Sequence, residues 1–350
     1  MNQDSKAPPV YPEFESVIQH HDPEDCSVIE MPDMEFWNNK SKTEEEKQHI
    51  VNRARTLQAG INLPYETKVK NTKKIIKRAL EREPVSWAVS FSGGRDSTVL
   101  SHLMVVGMGI TSVPHVMSNT RMEYPETIKQ CNRWYSMLRE RGVDCSVAYP
   151  EERPEQLWKR IGVPLWSKMH AYKYRKYFNS PNDIMSDSVP ENLKEQFRKA
   201  KAAGLKITEK CCDYLKKKPM KKWDKERGIN GHFTGVRCSE ARNRRLAWIR
   251  KGALYYASSH YQWMCNPMAF WTEDDVERYL KENEIHMLRP DTLNGGSGCV
   301  TCMFGCISRA QEGTLNNMQD LKKRNPKMWA RALDHWGYRE VLDELGVPYE

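Results

Sequence analysis

Phe91-Ser92-Gly93-Gly94-Arg95-Asp96-Ser97-Thr98 decides how the rest of the chain is read. Just before it, Val85-Ser86-Trp87-Ala88-Val89-Ser90-Phe91 is a compact apolar run of a length that suits a buried strand. Just after it, Ser97 to Val106 is apolar on one helical face. Paired glycines at a strand-to-helix junction let the backbone turn tightly and bring its N–H groups close to a phosphate. The helix start beyond supplies unpaired donors and a partial positive charge. Ser92, Ser97 and Thr98 add hydroxyls, and Arg95 adds a planar fork that matches phosphate oxygens. Asp96 either anchors the loop or helps to hold a magnesium ion.

The alternation continues outward. Ser112 to Ser118 reads as a second strand, Pro125 to Arg141 as a helix stopped by Gly142, and Val143 to Tyr149 as a third strand. Strand, helix, strand, helix, strand predicts a parallel sheet with right-handed crossovers. A further strand is expected at Gly231 to Val236 and a basic helix from Cys238 to Lys251. On the other side, residues 1 to about 40 show no period and read as a loose arm. Thr43 with Glu46 is a capping-box pattern that opens a helix ending at Gly60, and a second helix is expected from Glu66 to about Arg82. Thr272 with Asp275 marks another helix start, and Leu315 to Leu345 reads as two or three short helices. Three regions result: an arm and helical extension over 1–80, a nucleotide-binding domain over 81–265 with a basic insertion at about 166–228, and a C-terminal region over 266–350.

The totals exclude several classes. No apolar run approaches the roughly 20 residues of a membrane helix, and the N-terminus lacks a basic stretch followed by an apolar core, so a cytoplasmic protein is expected. In a reducing compartment, ten cysteines point to metal ligation or catalysis rather than disulfides. The net charge of +9 is concentrated: Lys168 to Arg227 holds seventeen Lys/Arg against eight Asp/Glu, which accounts for the whole surplus. Such a patch suits a polyanion, or is simply a solvated lysine-rich face. Tyr172, Tyr174, Tyr177 and Trp223 interleave with these charges, either as stacking platforms for exposed bases or as core aromatics.

The loop is not a Walker A motif, whose first two glycines are separated by four residues. It resembles the SGGxDS signature of the PP-loop enzymes, which cleave ATP between the α- and β-phosphates; many of them have Lys where Arg95 stands. Further segments are similar to the PAPS/APS reductase family, in family order over residues 85 to 306. Asn119-Thr120-Arg121-Met122-Glu123-Tyr124-Pro125-Glu126-Thr127 resembles its D-T-G-x-x-F-P-E-T segment, with Asn119 replacing Asp and Arg121 replacing Gly. Thr234-Gly235-Val236-Arg237-Cys238-Ser239-Glu240-Ala241-Arg242-Asn243-Arg244 resembles T-G-x-R-x-x-E-S-x-x-R, and Asn266-Pro267-Met268-Ala269-Phe270-Trp271-Thr272 resembles N-P-x-x-x-W-T. The resemblance implies a Rossmann-like α/β fold, a parallel sheet with helices on both faces, extended by N-terminal helices and a cysteine-rich helical C-terminus. It implies nucleotide contacts from Ser92, Gly93, Gly94, Arg95, Asp96, Ser97, Thr120, Gly235, Arg237 and Arg244. Catalytic roles fall to Asp96, Arg95, Arg237 and Glu240.

Lys210-Cys211-Cys212, upstream of Pro219-Met220, is similar to the K-C-C segment of cluster-bearing APS reductases, and Cys299-Val300-Thr301-Cys302 follows about 86 residues later. The resemblance implies a [4Fe-4S] cluster on Cys211, Cys212, Cys299 and Cys302, with four-cysteine zinc as the rival. Cys306 could replace a ligand, carry a persulfide or merely pack nearby. The reductases attack sulfonucleotide sulfur with a cysteine near the C-terminus, and no cysteine follows Cys306 here. The loop also looks more like ATP-hydrolysing relatives, such as DNA-phosphorothioation subunits and tRNA-thiolating enzymes. Three functions therefore stand open. The first is ATP-dependent, cluster-containing sulfur transfer or adenylation on a larger substrate, with the 168–227 segment holding nucleic acid and a partner protein donating sulfur. The second is APS or PAPS reduction releasing sulfite, and the third a non-catalytic nucleic-acid-binding regulator.

Overall fold

The computed structural model describes residues 42–258, 261–288 and 298–350; the arm expected over residues 1–40 lies outside them. The described strands are β1 (Trp87–Ser90), β2 (His115–Ser118), β3 (Cys145–Ala148), β4 (Leu165–Trp166), β5 (Gly231–Phe233), β6 (Leu254–Ala257), β7 (Gln262–Cys265) and β8 (Met303–Phe304). Six form one sheet in the order β3-β2-β1-β5-β7-β6. β1 is parallel to both β2 and β5, β5 is parallel to β7, and β6 alone is shown antiparallel, against β7. The expected α/β sheet is present, and its order reverses at β1. In open α/β sheets a crevice forms beyond the strand ends at such a reversal. The Gly93-Gly94 turn leaves from that strand.

The chain divides into two compact units. The first gathers residues up to Val116, Trp134–Ser146 and Glu226–Met287. Its core packs Trp87 and Val89 of β1, Phe233 of β5 and Cys265 of β7 against three helices, Tyr65–Leu80, Arg95–Val105 and Glu273–Glu282. Apolar residues at helical spacing, Val99, Leu100, Leu103 and Met104, explain why the helix after the loop docks there. The Thr43/Glu46 capping box forms and opens the helix Glu44–Ile61. Thr272 and Asp275 likewise cap each other at the start of Glu273–Glu282, and buried Lys68 clamps Asp275 at 2.7 Å.

The second unit takes Met117–Arg133, Val147–Lys225 and Leu288–Glu350. Its insertion, where short helices and long loops are expected, holds the helices Lys168–Phe178, Glu191–Ala202 and Lys218–Arg227. Tyr174, Tyr177, Leu193 and Phe197 from these helices form a core with Trp166, Met303, Ile307 and Tyr338. The C-terminal helices are Asn317–Arg324, Pro326–His335 and Tyr338–Glu344, as the sequence predicts. A two-strand parallel pair, β4 with β8, ties Leu165 to Met303 and Trp166 to Phe304. No helix among the described residues is long and apolar enough to cross a membrane.

Candidate functional site

In the first unit, β1 ends and the chain turns through Gly93, whose φ of 73° lies in the left-handed region that glycine alone enters freely. Gly94 then serves as N-cap of the helix Arg95–Val105 with no side chain capping it, which leaves its first N–H groups aimed outward. The loop is braced from within. Ser97 Oγ accepts from Ser92 N at 3.2 Å, donates to the Gly94 carbonyl at 3.0 Å, and lies 3.0 Å from Ser92 Oγ. Thr98 is fully buried. A Cβ placed on Gly235 would meet the Asp96 backbone at 2.8 Å, so the Thr234-Gly235 turn presses directly on the loop. That contact explains a glycine there better than any flexibility.

Charged side chains complete this site. Arg237, 4% exposed, donates through Nε to Asp96 Oδ1 at 3.0 Å and through Nη2 to Glu273 Oε2 at 2.7 Å. Arg95 is held by two carboxylates, Glu273 and Glu277. Burial pushes the Asp96 carboxyl above its ordinary range, Arg237 pulls it back down, and Glu240 adds to the rise. Glu240 pairs with Arg244 at 2.6 Å on a more exposed face. Asp96, Arg95 and Arg237, three of the expected catalytic residues, thus share one network, whereas Glu240 acts on Asp96 through its charge. Glu273 and Glu277 were not anticipated. For Glu273 the capping pattern at Thr272 held the clue, because it places that acid in the first turn of the next helix.

In the second unit, Cys299 and Cys302 sit on one turn, closed by Cys302 N donating to the Cys299 carbonyl at 3.1 Å. Val300 N donates to the Met122 carbonyl at 2.7 Å, and β8 fixes the far end of the turn. Cys211 packs with Leu157 and Leu215, ahead of a wide π-helical turn over Asp213–Lys217. Such turns are frequent at functional sites. The Cys211 thiol donates to Cys212, which favours Cys212 as thiolate, assisted by Lys168 and Lys216. Burial raises Cys299 and takes Cys302 up to about 12. Lys216 is half-buried among these groups: desolvation would depress its ammonium, but Cys299, Glu123, Cys212 and Cys302 together outweigh that and hold it above its ordinary value.

Thr120, expected at the nucleotide, is placed with the cysteines. Its hydroxyl donates to the Glu123 carboxylate at 2.8 Å and faces Cys299 Sγ at 3.6 Å. Cys306 is fully buried at the start of the helix Cys306–Gln311, and burial raises its thiol to about 11. Among the described residues, no three His, Cys, Asp or Glu side chains are gathered to hold a metal ion. A lone zinc, with sulfurs at about 2.3 Å, needs them within roughly 4 Å of one another. A four-iron cluster gives each thiolate its own iron and accepts a wider spread. Four cysteine thiols, with the half-buried Lys216 ammonium beside them to offset thiolate charge, are the donor chemistry such a cluster takes.

Of the aromatics in the basic insertion, Tyr174, Tyr177 and Trp223 are core residues, and Tyr172 is 40% exposed. At least eight of the seventeen basic residues there are held in ion pairs, among them Arg175 with Glu209, Lys201 with Asp183 and Lys222 with Glu151. The insertion is therefore less of an open cationic face than its composition implies.

No curated protein matches the chain in sequence. Among solved structures it is similar to a phosphoadenylyl-sulfate (PAPS) reductase from Candida auris in a phosphate complex, at 17% identity and a TM-score of 0.39, covering 71% of this chain and 90% of that one. It is also similar to the U34-tRNA thiolase NcsA from Methanococcus maripaludis with its [4Fe-4S] cluster, at 14% identity and a TM-score of 0.34, covering 81% of each. The phosphoadenosine phosphosulfate reductase domain family matches residues 164–289, a stretch that holds Cys211, Cys212, Arg237, Glu240 and Arg244 but neither the glycine turn nor Cys299.

Proposed function

We propose that this chain binds ATP at the Ser92–Ser97 turn and cleaves it to AMP and pyrophosphate in order to adenylate an acceptor for sulfur transfer. The observation that carries the reading is the charge at the turn. Two arginines, Arg95 and Arg237, meet three carboxylates, Asp96, Glu273 and Glu277. With the carboxylates ionised the network is net negative by one. It offers little to a bare anionic sulfonucleotide, and suits a triphosphate that arrives with Mg²⁺. Asp96 would hold that magnesium, which neutralises charge on the departing pyrophosphate.

The chemistry then balances simply. An acceptor oxygen attacks the α-phosphorus, the bond to the α–β bridging oxygen breaks, and pyrophosphate leaves with the electron pair. The adenylated oxygen later departs as AMP when sulfide supplied by a partner protein attacks the acceptor carbon, the C–S bond forming as the C–O bond breaks. Arg95 and Arg237 exchange their carboxylates for phosphate oxygens, and the helix N–H groups add fixed donors where negative charge develops. Cys211, Cys212, Cys299 and Cys302 would hold a [4Fe-4S] cluster, which supplies a redox-active, sulfur-binding centre. Lys216 offsets the thiolate charge, and Thr120 and Glu123 orient the neighbouring groups.

A second reading, APS or PAPS reduction, draws on the domain match. Its nucleophile would have to be a thiol outside the four ligands. Cys238 and Cys306 are both buried, with thiols raised to about 12 and about 11, which leaves them poor nucleophiles. Labelled ATP with Mg²⁺ separates the two: AMP and pyrophosphate are expected. Sulfite released from APS or PAPS, with ATP untouched, would transfer the assignment to the reductase reading.

A further inference from the structure

A second cationic stretch differs in kind from the basic insertion. Between Glu240 and Glu273 there is no Asp or Glu, while Arg242, Arg244, Arg245, Arg250 and Lys251 fall within it, Arg244 alone of them being shown paired with a carboxylate, that of Glu240. This stretch folds as the helix Arg242–Lys251 followed by β6 and β7, and β6 ends the sheet. Four aromatic residues occur within nine positions here, Tyr255, Tyr256, Tyr261 and Trp263. The antiparallel register sets Tyr256 opposite Trp263, with ring centres 5.6 Å apart and edge to face. Cations interleave with them: the Arg82 guanidinium lies 4.1 Å from the Trp263 ring centre, and the Lys251 ammonium 5.0 Å from that of Tyr255.

Tyr256 is 44% exposed and Tyr261 79%, unlike the insertion's buried Tyr174 and Tyr177. Edge strands are usually blunted by charged side chains or proline, because an open edge invites pairing. Large aromatic rings held in water at such an edge need another explanation. Flat rings interleaved with cations, in a stretch free of acids, are the chemistry that receives single-stranded nucleic acid. Phosphates are drawn by the charge and unpaired bases stack on the rings. A duplex hides its base faces and would gain from the charge alone.

We propose that the β6–β7 edge and the helix Arg242–Lys251 form a docking face for single-stranded nucleic acid, which names the acceptor's chemical class. The link to sulfur transfer rests on the reading above, but the binding itself does not, so it is measured without ATP. Fluorescence anisotropy of the full chain with a labelled single-stranded oligonucleotide, as RNA and as DNA, and with the matching duplex provides the test. Salt-sensitive binding that prefers the single strand is expected. Tyr256→Ala and Tyr261→Ala should each weaken it about fivefold or more, as loss of a stacked base does. Tyr256→Phe and Tyr261→Phe should retain it, and melting temperatures should be unchanged, since both rings are exposed. Lys217→Ala with Lys221→Ala, in the insertion, should have a smaller effect. Absence of binding, equal affinity for duplex, or indifference to both tyrosine truncations would overturn the proposal. Binding of the expected kind by a chain that fails to cleave ATP would sustain this face and remove the ATP reading instead.

Discussion

The glycine turn of the first unit and the cysteine pocket of the second gather charge in opposite ways. At the turn, each strong group already has a partner: Ser97 serves Ser92 and Gly94, Arg237 bridges Asp96 and Glu273, and Arg95 is held by Glu273 and Glu277. In the pocket, Cys299 and Cys302 are half-buried with thiols raised by desolvation, beside the Lys216 ammonium that Glu123 and any thiolate formed there favour. A ligand at the turn must displace side chains, whereas a ligand in the pocket must displace protons, as metals do when thiols bind them.

Truncating the pocket therefore gives the largest effect. Cys299→Ser or Cys302→Ser should abolish iron and acid-labile sulfide in anaerobically purified protein, while Cys306→Ser retains both. Asp96→Ala should leave iron content unchanged and abolish ATP cleavage. Iron lost on replacing Asp96, or kept on replacing Cys302, would break the division of labour between the two regions.

At the turn, Arg237→Ala removes the one buried side chain that joins two carboxylates. Removing one partner of a buried pair typically costs about 3–5 kcal/mol. Glu273 is half exposed here, so about 2–3 kcal/mol is the better expectation. Urea denaturation should show it as a lower midpoint, with nucleotide binding lost as well. Arg237→Lys restores the charge without the fork and should recover stability more than binding. An unchanged midpoint would mean that the network is solvated and contributes little.

Burial of titratable groups sharpens the same contrast. The second unit keeps Lys216 charged inside it, whereas the first keeps His115 neutral, between Ser101 Oγ at 2.9 Å and the Val113 carbonyl at 3.2 Å. Burial lowers His115 to about 4 from its ordinary 6.5. The unfolded chain takes up the proton first, so stability is complete above pH 6.5 and declines as pH falls toward 4. A shift of this size corresponds to about 3 kcal/mol. Stability measured against pH should fall more steeply over that window in the parent than in His115→Gln. Parallel profiles would show that other groups govern acid unfolding.

What the sequence disclosed follows from how local each feature is. The strand–turn–helix around Gly93 is legible because its signals are consecutive, and Thr272 with Asp275 is legible because a capping box spans four residues. Short helices are expected over 166–228, but the bounds at 168–178 and 191–202 are hard to read because lysines crowd the solvent side of narrow apolar faces built on Tyr174, Tyr177, Leu193 and Phe197. β4 and β8 are two-residue strands whose pairing joins positions far apart in sequence. No local pattern announces such a pairing. The β6–β7 hairpin escaped notice because Leu254-Tyr255-Tyr256-Ala257 alternates poorly at an exposed edge. Glu273 and Glu277 were missed for a different reason: their role depends on Arg95 across about 180 residues of chain.

Those two carboxylates give the smallest effect and the finest test of the comparison. If they compete with phosphate for Arg95 and Arg237, removing their charge should help the ligand rather than hinder it. Glu273→Gln keeps the side chain's shape while freeing Arg95 and Arg237 from one anion. The pairs are partly exposed, so about 1 kcal/mol is at stake. Titration calorimetry with a non-hydrolysable ATP analogue and Mg²⁺ should show binding tightened about fivefold, with a smaller gain in Glu277→Gln, since Glu273 meets both arginines. Weaker binding in Glu273→Gln would place that carboxylate on the magnesium side of the nucleotide. The turn would then resemble the pocket after all, as a site incomplete until its cation arrives.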